Sequence, residues 1–353
     1  MTKEKIYHKK STKRETFYVF EVEGEEKEFK ANSFYDFVNE HNKVLIEEGK
    51  IFNGDIGGGI YEKKDWKTYP YILKNCENNL YSPIKNNVIT YFKENNKRFW
   101  HENENDKNKY IPTGNTTSSQ IACLNHLFLL RDYRDDVLKI AKNICPNIEK
   151  VIPFGDRFNP GYIAFEHVSP SNRLQEKENR LTSIDALIIA KEKDKILPLI
   201  IEWKYKEQFC EKDKTESLQE YKKFFENSIL NELYKYNTFY QLMRQTLWVE
   251  QMITHKAAET IQAEKKYIHV LVIPKENEKE WDKCCIDKRD WEEKSEEGWK
   301  ETFEKTWKGC LKDKEKFKIR TPEKLLAPIL EIKRYENLID YLSERYWCKI
   351  EEE

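Results

Sequence analysis

Asp185, in Ser183-Ile184-Asp185, and the pair Glu202 and Lys204, in Glu202-Trp203-Lys204, are the residues whose types and spacing could do chemistry. Glu-x-Lys alone is a cheap pattern in a chain with 35% charged residues, and Glu25-Glu26-Lys27, Glu28-Phe29-Lys30, Glu48-Gly49-Lys50 and Glu62-Lys63-Lys64 also satisfy it. Glu202 and Lys204 differ from these because they end the apolar run LPLII (197 to 201). A charge placed there is costly unless it meets a partner or a metal. Strand alternation puts Ile200, Glu202 and Lys204 on one face and Ile201, Trp203 and Tyr205 on the other. If the chain reverses at Lys193-Asp194, Asp185 falls directly opposite Glu202, with Cβ atoms roughly 5 Å apart. A slip of one residue would turn Asp185 to the other face.

Two carboxylates so close repel each other, and a shared proton or a divalent cation relieves the repulsion. Mg²⁺, which takes oxygen ligands at about 2.1 Å and keeps several waters, suits such a pair, with Mn²⁺ able to substitute. A cation on two acids beside an ammonium group answers the needs of phosphodiester hydrolysis. Bound water becomes more acidic, charge on the phosphate is stabilised, and Lys204 can orient the water or neutralise the developing oxyanion.

Other residues carry two readings each. Glu166, in GYIAFEHV (161 to 168), is either a third acid near the pair or a solvent-facing strand residue, and His167 reads as structural because no second His stands at metal spacing. Gln120 completes a capping box with Thr117 and is also a candidate supporting residue. Gln241, Arg244, Gln245 and Trp248 share one helix face, which either meets a phosphate backbone or is simply a polar surface, and Gln241 is the preferred member. Gly57-Gly58-Gly59, without a following P-loop Lys-Ser/Thr, reads as a turn rather than a phosphate cradle.

The elements that must position these residues begin at Thr117. Cys123, Leu127, Leu130, Val137 and Ala141 follow at helical spacing and predict a helix over 118 to 145. Three strands are expected next, at 161 to 168, 183 to 190 and 196 to 205, each rich in β-branched or aromatic residues. After a charged stretch (206 to 229), a helix is expected over 230 to 262, with Phe239, Leu242, Val249 and Ile253 on one face. YIHVLVIP (267 to 274) then reads as a buried strand parallel to a neighbour. The order is α-β-β-β-α-β, an α/β core over 118 to 274 with a mixed sheet. Residues 1 to 117 form an N-terminal extension to which the sequence assigns no fold. Residues 275 to 353 read as a helical C-terminal extension, in which Trp299, Phe303 and Trp307 stand four apart as packing residues, and Thr321-Pro322-Glu323 starts a helix.

Composition sets the outer bounds. With 353 residues, 39% hydrophobic and 13% aromatic, the chain can bury a sizeable core, which argues against wholesale disorder. A net charge of −1 leaves a nucleic-acid partner open, since phosphate contact needs a local basic groove and not a basic total. The eight cysteines show no C-x-x-C pair and read as reduced thiols. MTKEKIYHKK lacks the apolar stretch of a signal peptide and no apolar run approaches a membrane span, so the expectation is a cytoplasmic protein without a membrane partner.

The helix, the hairpin bearing SID and LIIEWK, the second helix and the final strand resemble the PD-(D/E)XK nuclease superfamily, the restriction-endonuclease-like fold. TGNTTSSQIACLNHLF (113 to 128), YQLMRQ (240 to 245) and YLSERYW (341 to 347) are similar to a bacterial restriction-endonuclease branch of it. The resemblance implies that Asp185 and Glu202 bind the metal, that the Trp203 backbone carbonyl is a further ligand, and that Lys204 is the catalytic lysine. Ile184 stands where the proline of the superfamily motif would be. The implied activity is metal-dependent cleavage of DNA, with RNA left open, in restriction or phage defence, and the implied assembly is a homodimer. The alternatives are a repair or structure-specific nuclease, and a catalytically silent nucleic-acid-binding protein of the same fold.

Overall fold

The computed structural model describes residues 5–12, 15–22, 24–61, 67–100, 109–154, 160–168, 182–208, 233, 236–254, 266–287 and 302–352. They form a mixed α/β protein of two compact units: Met1–Leu130 with Pro322–Glu353, and Arg131–Asp156 with Pro160–Thr321. The core expected over 118 to 274 follows the element order of the sequence, whereas the compact units change over at Leu130 and Thr321.

The first unit opens with β1 (Ile6–Ser11), β2 (Thr16–Val22) and β3 (Glu25–Lys30), an antiparallel meander, followed by α1 (Phe34–Glu48). Tyr7 and Tyr18 pack against Phe37 of α1 at 5.0 and 4.7 Å between ring centres, so the sheet buries its aromatic face on the helix. A small hairpin, β4 (Gly59–Tyr61) and β5 (Lys67–Tyr69), then precedes α2 (Lys85–Glu94) and α3 (Ser119–Leu127).

The glycine-rich loop before β4 is a turn, as its sequence suggests. The Gly57 amide donates to Asp55 Oδ1 at 2.9 Å, that of Gly58 to the Tyr69 carbonyl at 3.1 Å, and that of Gly59 to the Ile72 carbonyl at 2.8 Å. Each amide that could have met a phosphate already has a partner within the chain. Gly57 has φ +66°, and a Cβ there would stand 2.1 Å from the Pro70 carbonyl oxygen, which explains the residue without a ligand.

The predicted helix over 118 to 145 is two helices. α3 ends at Leu127, a single 3₁₀ turn covers Phe128–Leu130, and α4 (Arg134–Ile144) starts afresh with Asp135 and Asp136 in its first turn. Between them the Arg131 carbonyl accepts from the Tyr162 amide at 2.7 Å, so it bonds to another segment and not along a helix. Thr117-Gln120 is not the capping box either: Ser118 caps α3, its hydroxyl accepting from the Ile121 amide.

The second unit is built on a six-stranded mixed sheet. After α4 come β6 (Lys150–Ile152), β7 (Ala164–Val168), β8 (Ser183–Glu192), β9 (Lys195–Trp203), α5 (Asn237–Thr254), β10 (Ile268–Val272), α6 (Lys275–Asp287), α7 (Phe303–Cys310) and β11 (Phe317–Arg320). The sheet order is β11-β10-β9-β8-β6, and β7 pairs with the other half of the β8 edge that β6 lines. β6 is a strand beyond the three expected before the second helix. β10 runs parallel to β9, as its apolar sequence, interrupted by His269 alone, predicts, and the connection between them includes α5.

β8 and β9 meet in the predicted register, Ala186 opposite Ile201 through to Glu192 opposite Lys195. Lys193 and Asp194 form the two-residue turn with φ +49° and +62°, the left-handed pair whose twist matches the strands it joins. One face of the hairpin buries Leu187, Ile189 and Ile200 in a cluster with Phe239, Leu242, Met243 and Val249 of α5. On the other face Ala186, Ile188, Leu199, Ile201 and Trp203 are buried too, and a sheet covered on both faces makes its strands read as continuous apolar runs.

The segment after β10 is not simply helical, since β11 adds to the sheet edge parallel to β10. Phe303 and Trp307 are fully buried, Phe303 stacking on Phe239 at 4.7 Å, which is the packing role expected of them; Trp299 lies outside the described residues. The chain then returns to the first unit with α8 (Pro322–Leu326), α9 (Glu336–Arg345) and β12 (Lys349–Glu352), which pairs parallel to β1.

There the strings 113–128 and 341–347 meet in a buried polar core. The Asn125 side-chain amide donates to the Tyr341 and Tyr346 hydroxyls at 3.1 and 2.9 Å, and Trp347 Nε1 donates to His126 Nε2 at 3.0 Å. Arg345, fully buried, donates to the Asn79 and Thr116 carbonyls at 2.7 and 3.2 Å and to Asn79 Oδ1, with its guanidinium 4.7 Å from the centre of the Phe52 ring.

Candidate active site

Asp185 enters from β8 one residue before the first paired position of the hairpin, and Glu202 from β9 one residue after its partner. Glu202 is buried, and its Oε1 lies 2.5 Å from Lys204 Nζ, itself buried two residues on along the same face. The Lys204 amide donates to the Val272 carbonyl at 2.8 Å, which ties the residue to β10. Asp185 Oδ2 accepts from the Trp203 amide at 2.7 Å, so the aspartate is bonded to the strand that carries the other two.

Glu166 comes from β7. The pairs Phe165 with Ala186 and His167 with Ile184 place it beside Asp185 in sequence register. It has φ +45°, a left-handed backbone rare for such a residue, in the middle of a strand. Its side chain is buried and accepts from the Ser183 hydroxyl at 2.6 Å. Of its two readings, the solvent-facing one is excluded.

The electrostatics follow from this crowding. Burial, with the charges of Glu202 and Glu166, pushes the Asp185 carboxyl well above the usual carboxylate range, against the opposing pull of Lys204 and the Trp203 amide. Burial also acts to raise Glu202, but the Lys204 ammonium and the hydrogen bonds from Lys204 and Gln245 outweigh it and hold this acid below its ordinary value. Lys204 is raised in turn: burial would lower it, and Glu202, Glu207 and Asp185 overcome that. At neutral pH the centre therefore holds an ionised glutamate–lysine pair beside an aspartate that resists losing its proton.

On α5 the residue that reaches the acids is Gln245 and not Gln241. The Gln245 side chain is buried and donates to Glu202 Oε2, while Gln241 is half-buried on the preceding turn. Arg244 donates to the Thr182 hydroxyl at 3.0 Å and lies 5.5 Å from the Tyr240 ring centre. His269 of β10, which no motif marks, bonds through Nε2 to Gln245 Oε1 at 3.0 Å. Its signal in the sequence is a lone polar side chain inside the apolar strand IHVLV, a position that demands a partner. Gln120 belongs to the first unit, where its amide accepts from the Trp100 amide at 2.9 Å and donates to the Arg98 carbonyl at 3.2 Å. His167 packs on Phe154 and Trp248 at 5.3 and 5.9 Å between ring centres.

Among the described residues no group of three His, Cys, Asp or Glu side chains converges as a ready-made metal cage. The donor set is instead two to three carboxylates with one ammonium, all oxygen on the acid side. That chemistry fits Mg²⁺, which is ordinarily held by one or two carboxylates and keeps several waters. Every cysteine among the described residues is a free thiol, and no described helix is long and apolar enough to cross a membrane.

A mixed sheet bearing a buried acid–lysine centre on one hairpin thus defines the class of this α/β protein. The chain belongs to the family described as restriction endonuclease associating with ARP, whose model matches residues 39–347 and so takes in both compact units. No curated protein and no solved structure matches the chain.

Proposed function

We propose that this chain is a divalent-metal-dependent endonuclease of the PD-(D/E)XK, restriction-endonuclease-like kind, which hydrolyses phosphodiester bonds in DNA in restriction or phage defence. The observation that carries the reading is the gathering of Asp185, Glu202 and Lys204 at one end of the β8–β9 hairpin, with the aspartate held far from its ordinary proton affinity. Acids perturbed by burial and a specific charged partner cluster at functional sites. The family's description supports the restriction setting and DNA as the substrate.

Asp185, Glu202 and the Trp203 backbone carbonyl would hold the cation, with Glu166 as a supporting acid. When bound, Mg²⁺ or Mn²⁺ supplies an acidified water and charge stabilisation at the phosphate. Lys204 contributes a proton or a positive charge at Nζ beside the reacting group, and Gln245 keeps Glu202 Oε2 directed away from it. Ordering of these side chains by neighbours that are themselves buried limits the reorganisation needed during reaction. Cutting both strands of a duplex would be served by a homodimer.

Incubation of the purified protein with plasmid DNA and Mg²⁺ or Mn²⁺, with EDTA as control, tests the proposal. Cleavage is expected in the metal arms alone, and Asp185→Ala or Glu202→Ala should abolish it while circular dichroism stays native. Undiminished cleavage by Asp185→Ala would remove this site from the reaction. Retention of DNA without cleavage over duplex, branched and single-stranded substrates would transfer the chain to the nucleic-acid-binding class.

A further inference from the structure

Behind Glu202 lies a chain of buried polar groups: Gln245 on α5, His269 on β10 and Thr246 on α5. Their exposures are 5, 2 and 3%, so each hydrogen bond among them is made without competition from water. We propose that His269 is a positioning residue of the acid centre, which locks the Gln245 side-chain amide with its NH₂ towards Glu202 and thereby fixes how that carboxylate faces its cation. The inference rests on the hydrolytic reading above, deepening it by one residue.

The polarity of the chain follows from donor and acceptor counting. An amide can present either end, so Gln245 has no intrinsic orientation. Ionised Glu202 accepts only, and its Oε2 therefore requires the nitrogen of Gln245. This leaves Gln245 Oε1 facing His269 Nε2 at 3.0 Å, and that ring nitrogen must carry a hydrogen. Burial keeps the imidazole neutral, lowering it to about 4 against the opposing charge of Glu202. With one ring hydrogen at Nε2, Nδ1 is an acceptor, and Thr246 Oγ1 stands 3.4 Å away as its donor. Only one arrangement satisfies all the groups: Thr246 hydroxyl to His269, His269 to Gln245, Gln245 to Glu202.

A histidine that merely filled space would be indifferent to which nitrogen is protonated; this one is not. With Glu202 Oε2 held by the amide, Oε1 is the oxygen shared with Lys204 and left for a cation. If His269 lost its donor, the amide could turn its oxygen towards Glu202, and the carboxylate would lose its fixed direction. A group bonded to a metal-binding side chain, as Gln245 is to Glu202, typically matters by 10–100-fold in metal affinity or activity, and His269 acts by setting which end of that group is presented.

The test uses the full chain and three substitutions. Glutamine places a donor where Nε2 stood, asparagine places one only where Nδ1 stood, and leucine places none. His269→Gln is expected to retain Mn²⁺ affinity, read by electron paramagnetic resonance, and DNA turnover within about threefold of the parent, whereas His269→Asn and His269→Leu lose roughly 10–100-fold in both. Nitrogen-15 spectra of the metal-free parent should show His269 neutral with the hydrogen on Nε2 at neutral pH. Parent-like behaviour of His269→Leu, equal losses in the Gln and Asn proteins, or a hydrogen on Nδ1 would each overturn the proposal. Should the leucine protein fail to fold, the Gln–Asn contrast decides. If the parent cleaves no DNA, the hydrolytic reading fails, while the tautomer still judges the lock by itself.

Discussion

Arg345 in the first unit and Lys204 in the second are both buried cations, and the two are solvated in opposite ways. Arg345, in the first unit, is met by neutral groups: carbonyls of Asn79 and Thr116, the Asn79 amide oxygen, the Tyr341 hydroxyl, and the faces of Phe52 and Tyr346. Lys204, in the second, is met by the carboxylate of Glu202 with Asp185 close behind. These dipoles hold the guanidinium without bringing a charge of their own, and burial keeps the neighbouring His41 and His126 neutral, each lowered to about 3. A lysine among surplus acids is different, because the cluster gains by taking up a proton or a cation. One site is built to stay as it is and the other to accept something.

The largest effect expected from testing that difference is on chemistry. Lys204→Met should lower DNA cleavage by on the order of 10²–10⁴, measured as single-turnover rate. It should also destabilise the metal-free protein, since Glu202 is left as an unpaired buried charge. That cost shrinks as pH falls: without its ammonium, Glu202 rises above its unfolded value, and a raised acid costs stability only where the unfolded chain would have it ionised.

Arg345→Met comes next and tests the other half. It leaves several buried oxygens without donors and should cost about 3–5 kcal/mol in denaturant unfolding, with no such pH dependence between pH 5 and 8. A cost for Arg345→Met that vanished in acid would mean that a carboxylate, and not the dipoles, balances the guanidinium.

A smaller effect should separate the acids from the fold. Asp185 is raised in the folded state by burial, Glu202 and Glu166, so its ionisation detracts from stability once pH passes its ordinary value of 3.8. Asp185→Asn should therefore raise the melting temperature at neutral pH in EDTA, and the gain should fade as pH is lowered towards 4. Added Mg²⁺ should stabilise the parent and leave the Asn protein unmoved. A parent melting temperature indifferent to Mg²⁺ would break the contrast between the units.

How far these features are legible in the sequence depends on how local their causes are. The hairpin register could be read because a two-residue turn between apolar runs leaves little freedom, and it brought Asp185 to Glu202. The parallel setting of β10 could be read from its apolar run, in which His269 is the one polar residue. The break at 128–133 could not, since apolar spacing continues across it and only the use of the Arg131 carbonyl by Tyr162 reveals it. β11 and β12 were hidden because FKIR and KIEE are short and charged, and become strands only through partners far away in sequence, at β10 and β1. Gln245 shared a predicted face with Gln241, and periodicity cannot say which of two glutamines on one face reaches an acid. Gln120 looked like a cap, while its true partners, the backbone at 98 and 100, carry no pattern.

The turn at Lys193-Asp194 has a practical side. Both residues adopt a left-handed backbone, which Gly, Asn and Asp accept most readily and a long side chain such as that of Lys193 does not. Lys193→Asn, which puts a favoured residue at the first position of the turn, should relieve that strain and raise stability by up to about 1 kcal/mol in thermal unfolding. The turn closes the opposite end of the hairpin from both acids, so a sturdier protein could be engineered there with the acid centre left untouched.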